Sequence, residues 1–289
     1  MPKTSDSSQG KRREALVLVQ AGHTHQEIAE ITGLTLNQIY YAIRTRCFAT
    51  LRDVPRIATV ATAGFYYSPV FAWERRFHHQ YPMDTFQSYE KMFADIILDP
   101  QHVTLVVEDT YNPSESEKTE PVIEPDRKMP LPKQGNSVIV GAATWKLEPS
   151  SPRYGQFMNP ADSNDPSLNF DGGRSRDKSP RHADMLDDKC DAAEEKYFNG
   201  NQLVDMSVVH PAYWRRGHGT ELVKWGKSLA DLDYMAQGVV AAAMGEKLYM
   251  SLGYQKLDHV KVEDKDGPGP HELSVGILKY FGSTYRRSD

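Results

Sequence analysis

The chain has 289 residues, 39% of them hydrophobic, and a formal charge of −5 at pH 7. This suffices for one sizeable core and a small extra module, and the acidic balance excludes a protein that coats nucleic acid along its length, though not a local basic patch. No run of about 18 apolar residues occurs, so no membrane span is expected, and the start, MPKTSDSSQGKRRE, lacks a signal peptide's apolar stretch, so a cytoplasmic or nuclear rather than secreted protein is expected.

After a tail over 1–9 that is expected to be disordered, residues 10–50 read as a small trihelical module. Gly22 and Gly33 stand where helices end. Thr24 with Glu27, and Thr35 with Gln38, have capping-box spacing. Leu16, Val19, Ile28, Ile31, Leu36, Ile39 and Ile43 supply apolar faces at helical spacing. The pattern resembles a helix-turn-helix of the homeodomain-like type. The resemblance implies a third helix offering Asn37, Gln38, Tyr41, Arg44 and Arg46 to DNA; a docking module with a solvated polar face has the same pattern.

Two helical stretches follow, over LRDVPRIATVATAGFYYSPVFAWERRF and DTFQSYEKMFADIILDP, then strands HVTLVVED and NSVIVGAATWKL. Two polar, Pro-rich segments, about 112–136 and 148–190, are expected to be flexible insertions. The acidic run DMLDDKCDAAEE fits a solvated helix or an attractor of cationic amines. Cys47 and Cys190 have no metal-ligand spacing and are expected as free thiols. His78–His79 and His23/His25 lack partners at ligand spacing, so no metal is expected.

The chemistry concentrates at NQLVDMSVVHP, a strand, followed by AYWRRGHG and the amphipathic helix TELVKWGKSLADLD. Gly217 and Gly219 allow close backbone approach, and loop amides with a helix N-terminus form an anion site. Arg215 and Arg216 add positive charge. The spacing is not GxGxxG. Beyond it come GVVAAA, a short strand; GEKLYMSLGY, a short helix; and a closing hairpin around EDKDGPGP.

On VVHPAYWRRGHGTELVKWG, Ala230–Asp231 and LYMSLGY, the chain resembles the GNAT superfamily of N-acetyltransferases, in the form common in filamentous fungi, over about 51–282 with a tail at 283–289. The resemblance implies an α/β domain, a mixed twisted sheet flanked by helices, behind the small all-α module. It implies acetyl-CoA as co-substrate, its pyrophosphate on Arg215, Arg216, Gly217, His218, Gly219 and Thr220, its pantetheine arm paired with the backbone of Val208 and Val209. Two departures are visible: Trp214 where the family pattern begins with Gln or Arg, and Ala242 where many members carry Asn.

Amide formation from a thioester needs a neutral amine and a proton for the departing thiolate. A lysine-like amine is only about 0.04% neutral at pH 7, so a base or desolvation must help. Tyr249, at the family's usual general-acid position, is suited to protonating the thiolate. Asp205 breaks the apolar pattern of its strand. It fits a base, a binder of the substrate ammonium or a partner of nearby backbone. Cys190 has no base placed by sequence, which argues for direct attack in a ternary complex over an acyl-cysteine. The expected activity is therefore acetyl transfer to a primary amine, most simply a small molecule. The competing reading is a DNA-binding regulator whose acetyltransferase-like domain senses a ligand or is degenerate.

Overall fold

The computed structural model describes residues 11, 18, 25–34, 46–121, 132–158, 169–266 and 269–282. Helix α1 (His25–Thr32) is the second of the three expected front helices. It ends as its sequence suggests, at Gly33, whose φ of +67° lets its N–H reach Ala29 O at 2.8 Å. Ile28 buries with Leu18 and Leu34. Asn37, Gln38, Tyr41 and Arg44 lie outside the described residues. Arg46 belongs to strand β1 (Arg46–Phe48), not to a third helix, and pairs with Val107. The sheet thus begins inside the stretch read as the front module. Phe48 draws it in by stacking on Phe157 at 5.4 Å.

Helices α2 (Val54–Phe65), α3 (Pro69–Glu74) and α4 (Pro82–Leu98) each carry proline in the first turn, where its missing N–H is harmless. Strand β2 (His102–Thr110) is buried over Val103–Val107 and β3 (Ser137–Lys146) over all but its two ends, as β-branched runs covered on both faces are. Helix α5 (Pro180–Phe198) leads into β4 (Gln202–Val209). Helix α6 (His218–Leu232), β5 (Gln237–Ala241), α7 (Ala243–Ser251), β6 (Gln255–Glu263) and β7 (Glu272–Tyr280) complete the order.

Seven strands form one mixed sheet in the order β1-β2-β3-β4-β5-β7-β6. Every pairing is antiparallel except β4 with β5. The expected mixed sheet flanked by helices is what forms. One face buries Val106, Ala142 and Val208 under α2 and α4, and Val240, Val275 and Ile277 beside α5. The other buries Trp145, Val204 and Val239 under Leu222, Trp225 and Leu229 of α6, with Tyr249 of α7. A Cβ on Gly226 would lie 2.1 Å from Trp145 Nε1, so glycine is what lets α6 settle this close to β3.

The described parts of both insertions are held by polar contacts and helix. Residues 180–190 belong to α5. Buried Asp177 pairs with buried Arg75 and accepts from Thr85 Oγ1 at 2.8 Å. Arg176 grips Asp84 through Nε and Nη2, both at 2.8 Å. Glu115 turns inward to Arg56 and to Tyr213, whose hydroxyl donates to it at 2.8 Å. These polar anchors leave no hydrophobic signal in the sequence.

Candidate active site

A break in pairing opens the site. Thr144 faces Met206 and Trp145 faces Val204, so Asp205 has no partner on β3 and stands as a β-bulge. The faces agree: Leu203 and Val208 sit five residues apart yet bury on the same side of the sheet, which the extra residue alone permits. Parallel pairing of β4 with β5 covers only Gln202, Leu203 and Val204, against Gln237, Gly238 and Val239. Past the bulge β4 stays with β3 while β5 stays with β7, so the two strands part.

His210 N donates to Val140 O at 2.9 Å, which fixes the alternation of backbone groups along β4. By that alternation Val208 turns its N–H and C=O to β3, and Ser207 and Val209 turn theirs to the open side. This corrects the expectation for Val208, whose side chain is buried under α2. Trp214 reaches back and donates its indole N–H to Val209 O at 2.6 Å, with its ring edge-on to Tyr67.

Beyond Val209 the chain turns through Pro211–Tyr213. His210, buried and pushed down to about 4 by burial, is a neutral ring whose Nδ1 accepts from Ala212 N at 3.2 Å. Arg215 and Gly217 both take positive φ, +64° and +94°. Gly217 is the N-cap of α6, and no side chain caps this terminus. The first amides of α6, those of His218, Gly219 and Thr220, thus lack intrahelical acceptors. A Cβ on Gly217 would meet nothing within 4 Å, so the turn borders open space. Asp109, which the sequence reading missed, binds two of the expected anion ligands: it accepts from Arg216 Nη1 at 2.9 Å and pairs with His218 Nε2 at 3.0 Å. Burial would raise the Asp109 carboxyl, but bonds from His218, the Thr110 amide and Arg216 hold it below the usual carboxylate range. Ala242 is the N-cap of α7 and offers no side-chain cap there.

Tyr249 belongs to α7 and Asp205 to β4. Tyr249, 4% exposed, packs against Tyr254 with the Ser207 side chain in hydrogen-bonding reach; burial drives its phenol far above the ordinary value. Asp205, with its side chain 41% exposed, accepts from Thr144 Oγ1 at 3.3 Å and lines a cavity of about 170 Å³. The walls of this cavity include His102, Lys146, Glu194, Leu203 and Val240. His102 Nε2 is 4.0 Å from Asp205 Oδ2, and His102 Nδ1 is 2.9 Å from Asp99 Oδ2. Burial, then Asp191 and Asp205, push the Glu194 carboxyl up. His102 and Asp99 were not singled out in sequence, where His102 is merely the first residue of a strand; Glu194 belongs to the acidic run DMLDDKCDAAEE.

Cys190 is a free thiol that burial and its acidic neighbours push up to about 12. His78 is buried with Nδ1 at 2.8 Å from Thr85 Oγ1. Among the described residues no group of three or more His, Cys, Asp or Glu is placed to hold a metal ion, and no helix is long and apolar enough to cross a membrane.

The site is thus a mixed sheet parted at its parallel pair, beside an uncapped helix N-terminus. No family model matches the chain. A curated relative from Stachybotrys chartarum, named acetyltransferase, is 33% identical over 232 residues, 80% of this chain and 89% of the relative. The chain belongs to the acetyltransferase family and is an enzyme. Solved structures with similar chains include a histone acetyltransferase HPA2 and related acetyltransferase from Corynebacterium glutamicum (18% identity, TM-score 0.44, 81% of this chain and 94% of that one). Another is arylalkylamine N-acetyltransferase 2 from Aedes aegypti (12%, TM-score 0.44, 81% and 98%). These scores carry no argument about activity.

Proposed function

We propose that the enzyme transfers an acetyl group from acetyl-CoA to a primary amine by direct attack in a ternary complex. The observation that carries this reading is the parting of β4 from β5 at Asp205, leading straight to the uncapped start of α6. A pantetheine arm fits the open side as a short strand, against the backbone of Ser207 and Val209. Its pyrophosphate fits the amides of His218, Gly219 and Thr220, with Arg215 and Arg216 alongside. Asp109 then keeps Arg216 and His218 in place before the anion arrives.

The amine nitrogen attacks the thioester carbon, the C–N bond forms and the C–S bond breaks. Tyr249 gives its proton to the departing thiolate, and its phenolate regains one from the nitrogen of the new amide by way of solvent. Its burial favours the neutral phenol, so it is protonated throughout the working range. An open-side amide, from Ser207 or Val209, polarises the carbonyl. Cys190, with a thiol held protonated, is a poor acyl carrier. The acidic face of α5, with Glu194 at the cavity, favours a cationic acceptor.

Isothermal titration of acetyl-CoA tests the reading. Micromolar binding to the wild type, abolished by Gly217→Glu, is expected, because the new carboxylate would stand beside the pyrophosphate at a φ of +94° that side chains rarely adopt. A wild type that does not bind acetyl-CoA overturns it.

A further inference from the structure

The cavity beside the bulge contains a pair of groups that the reading above does not use. Asp99 precedes β2, and its Oδ1 accepts from Gln101 N at 2.8 Å while its Oδ2 faces His102 Nδ1 at 2.9 Å. A carboxylate accepts only, so a neutral His102 ring would carry its proton on Nδ1 and turn a lone pair outward from Nε2. That lone pair faces Asp205 Oδ2 across 4.0 Å, too far for a direct hydrogen bond and with both ends acceptors. An amine nitrogen about 2.9 Å from each would see them at roughly 90°, near the spread of two of its N–H bonds. The bulge is what aims Asp205 here, and Thr144 Oγ1 steadies it.

We propose that His102, oriented by Asp99, takes the proton from the acceptor ammonium, while Asp205 holds that ammonium in the cavity beside the bulge. The inference rests on the N-acetyltransferase reading and assigns its acceptor site. The N–H bond of R–NH3⁺ breaks, its proton passes to Nε2, and the freed electron pair attacks the thioester carbon. The resulting imidazolium lies between the Asp99 and Asp205 carboxylates and later returns its proton to solvent. Besides these two groups, Glu194 from α5 and Lys146 from β3 border the cavity. Glu194 adds to the attraction for a cation, and Lys146 opposes it.

The test follows thiol release from acetyl-CoA with spermidine and 2-phenylethylamine as acceptors, from pH 6 to 9, alongside acetyl-CoA titration. His102→Gln keeps a hydrogen-bonding group but cannot take the proton. It is expected to lower kcat about 10²- to 10⁴-fold, to remove the loss of activity at acid pH, and to leave acetyl-CoA affinity unchanged. Added imidazole should restore part of the activity of His102→Ala. Asp205→Asn should act mainly on the KM of the amine. His102→Gln with wild-type rates, or with reduced rates and an unaltered pH profile, overturns the proposal, the latter because a merely structural role would give it. A wild type that binds acetyl-CoA but acetylates neither amine overturns the acceptor assignment alone. A wild type that fails to bind acetyl-CoA overturns the reading beneath it.

Discussion

Burial keeps the Tyr249 phenol protonated, so its proton is available to the charge that develops on the departing thiolate, whose basicity the same burial raises. Tyr249→Phe should therefore lower kcat about 10²-fold or more while acetyl-CoA affinity holds, as read by steady-state kinetics and titration. Trp214 poses the opposite question. Its indole N–H occupies Val209 O, a carbonyl on the side where the pantetheine arm is proposed to pair. Trp214→Gln, which restores the usual family residue, should tighten acetyl-CoA binding by about 2- to 10-fold, the worth of one hydrogen bond; unchanged affinity would show that the arm bypasses this carbonyl. Sequence made Tyr249 and Asp205 visible because each stands out from its surroundings. It misassigned Val208 because the pleat's side, unlike its position, depends on which neighbour takes each hydrogen bond. Asp99 and His102 escaped notice, and Glu194 was visible only as part of an acidic run, because the three meet through the sheet register and the packing of α5, neither of which a linear pattern displays.

At the scale of elements, helices and strands followed the predicted order wherever periodicity was strong. The described part of the insertion after β3 is held by ion pairs. Hydrogen bonds from Arg176 push the Asp84 carboxyl down to about 2, against an ordinary 3.8. A depressed carboxyl stabilises the fold above its unfolded pKa, and the contribution disappears as pH falls from about 4 towards 2. Arg176→Ala should consequently lower Tm at pH 7 and flatten the decline of Tm between pH 4 and 2, measured by thermal unfolding monitored by circular dichroism. The more deeply buried Arg75–Asp177 pair beneath it joins the insertion to α3 and places α5 over the sheet, which in turn brings Glu194 to the cavity.

For the molecule as a whole, the front module and the sheet are not separated where composition suggested. β1 extends the sheet at the edge of β2, and Phe48 enters the main core. The mixed topology was legible from the order of elements; the position of the parting was not, because a bulge depends on one unpaired residue.

That parting divides the sheet into two ribbons, β1 to β4 and β5 to β7, joined edge to edge only at the three register pairs ending with Val204 and Val239. Such a seam is the natural place for the native state to loosen first. A ligand that lies along it would act as an eighth, transient strand. Amide hydrogen exchange should accordingly slow at Ser207 and Val209 when acetyl-CoA is added, and the melting temperature should climb with ligand concentration, by about 2.7 kcal/mol of stability at a hundredfold excess over Kd. Exchange at the seam that is indifferent to acetyl-CoA would mean that the ribbons are already closed without it.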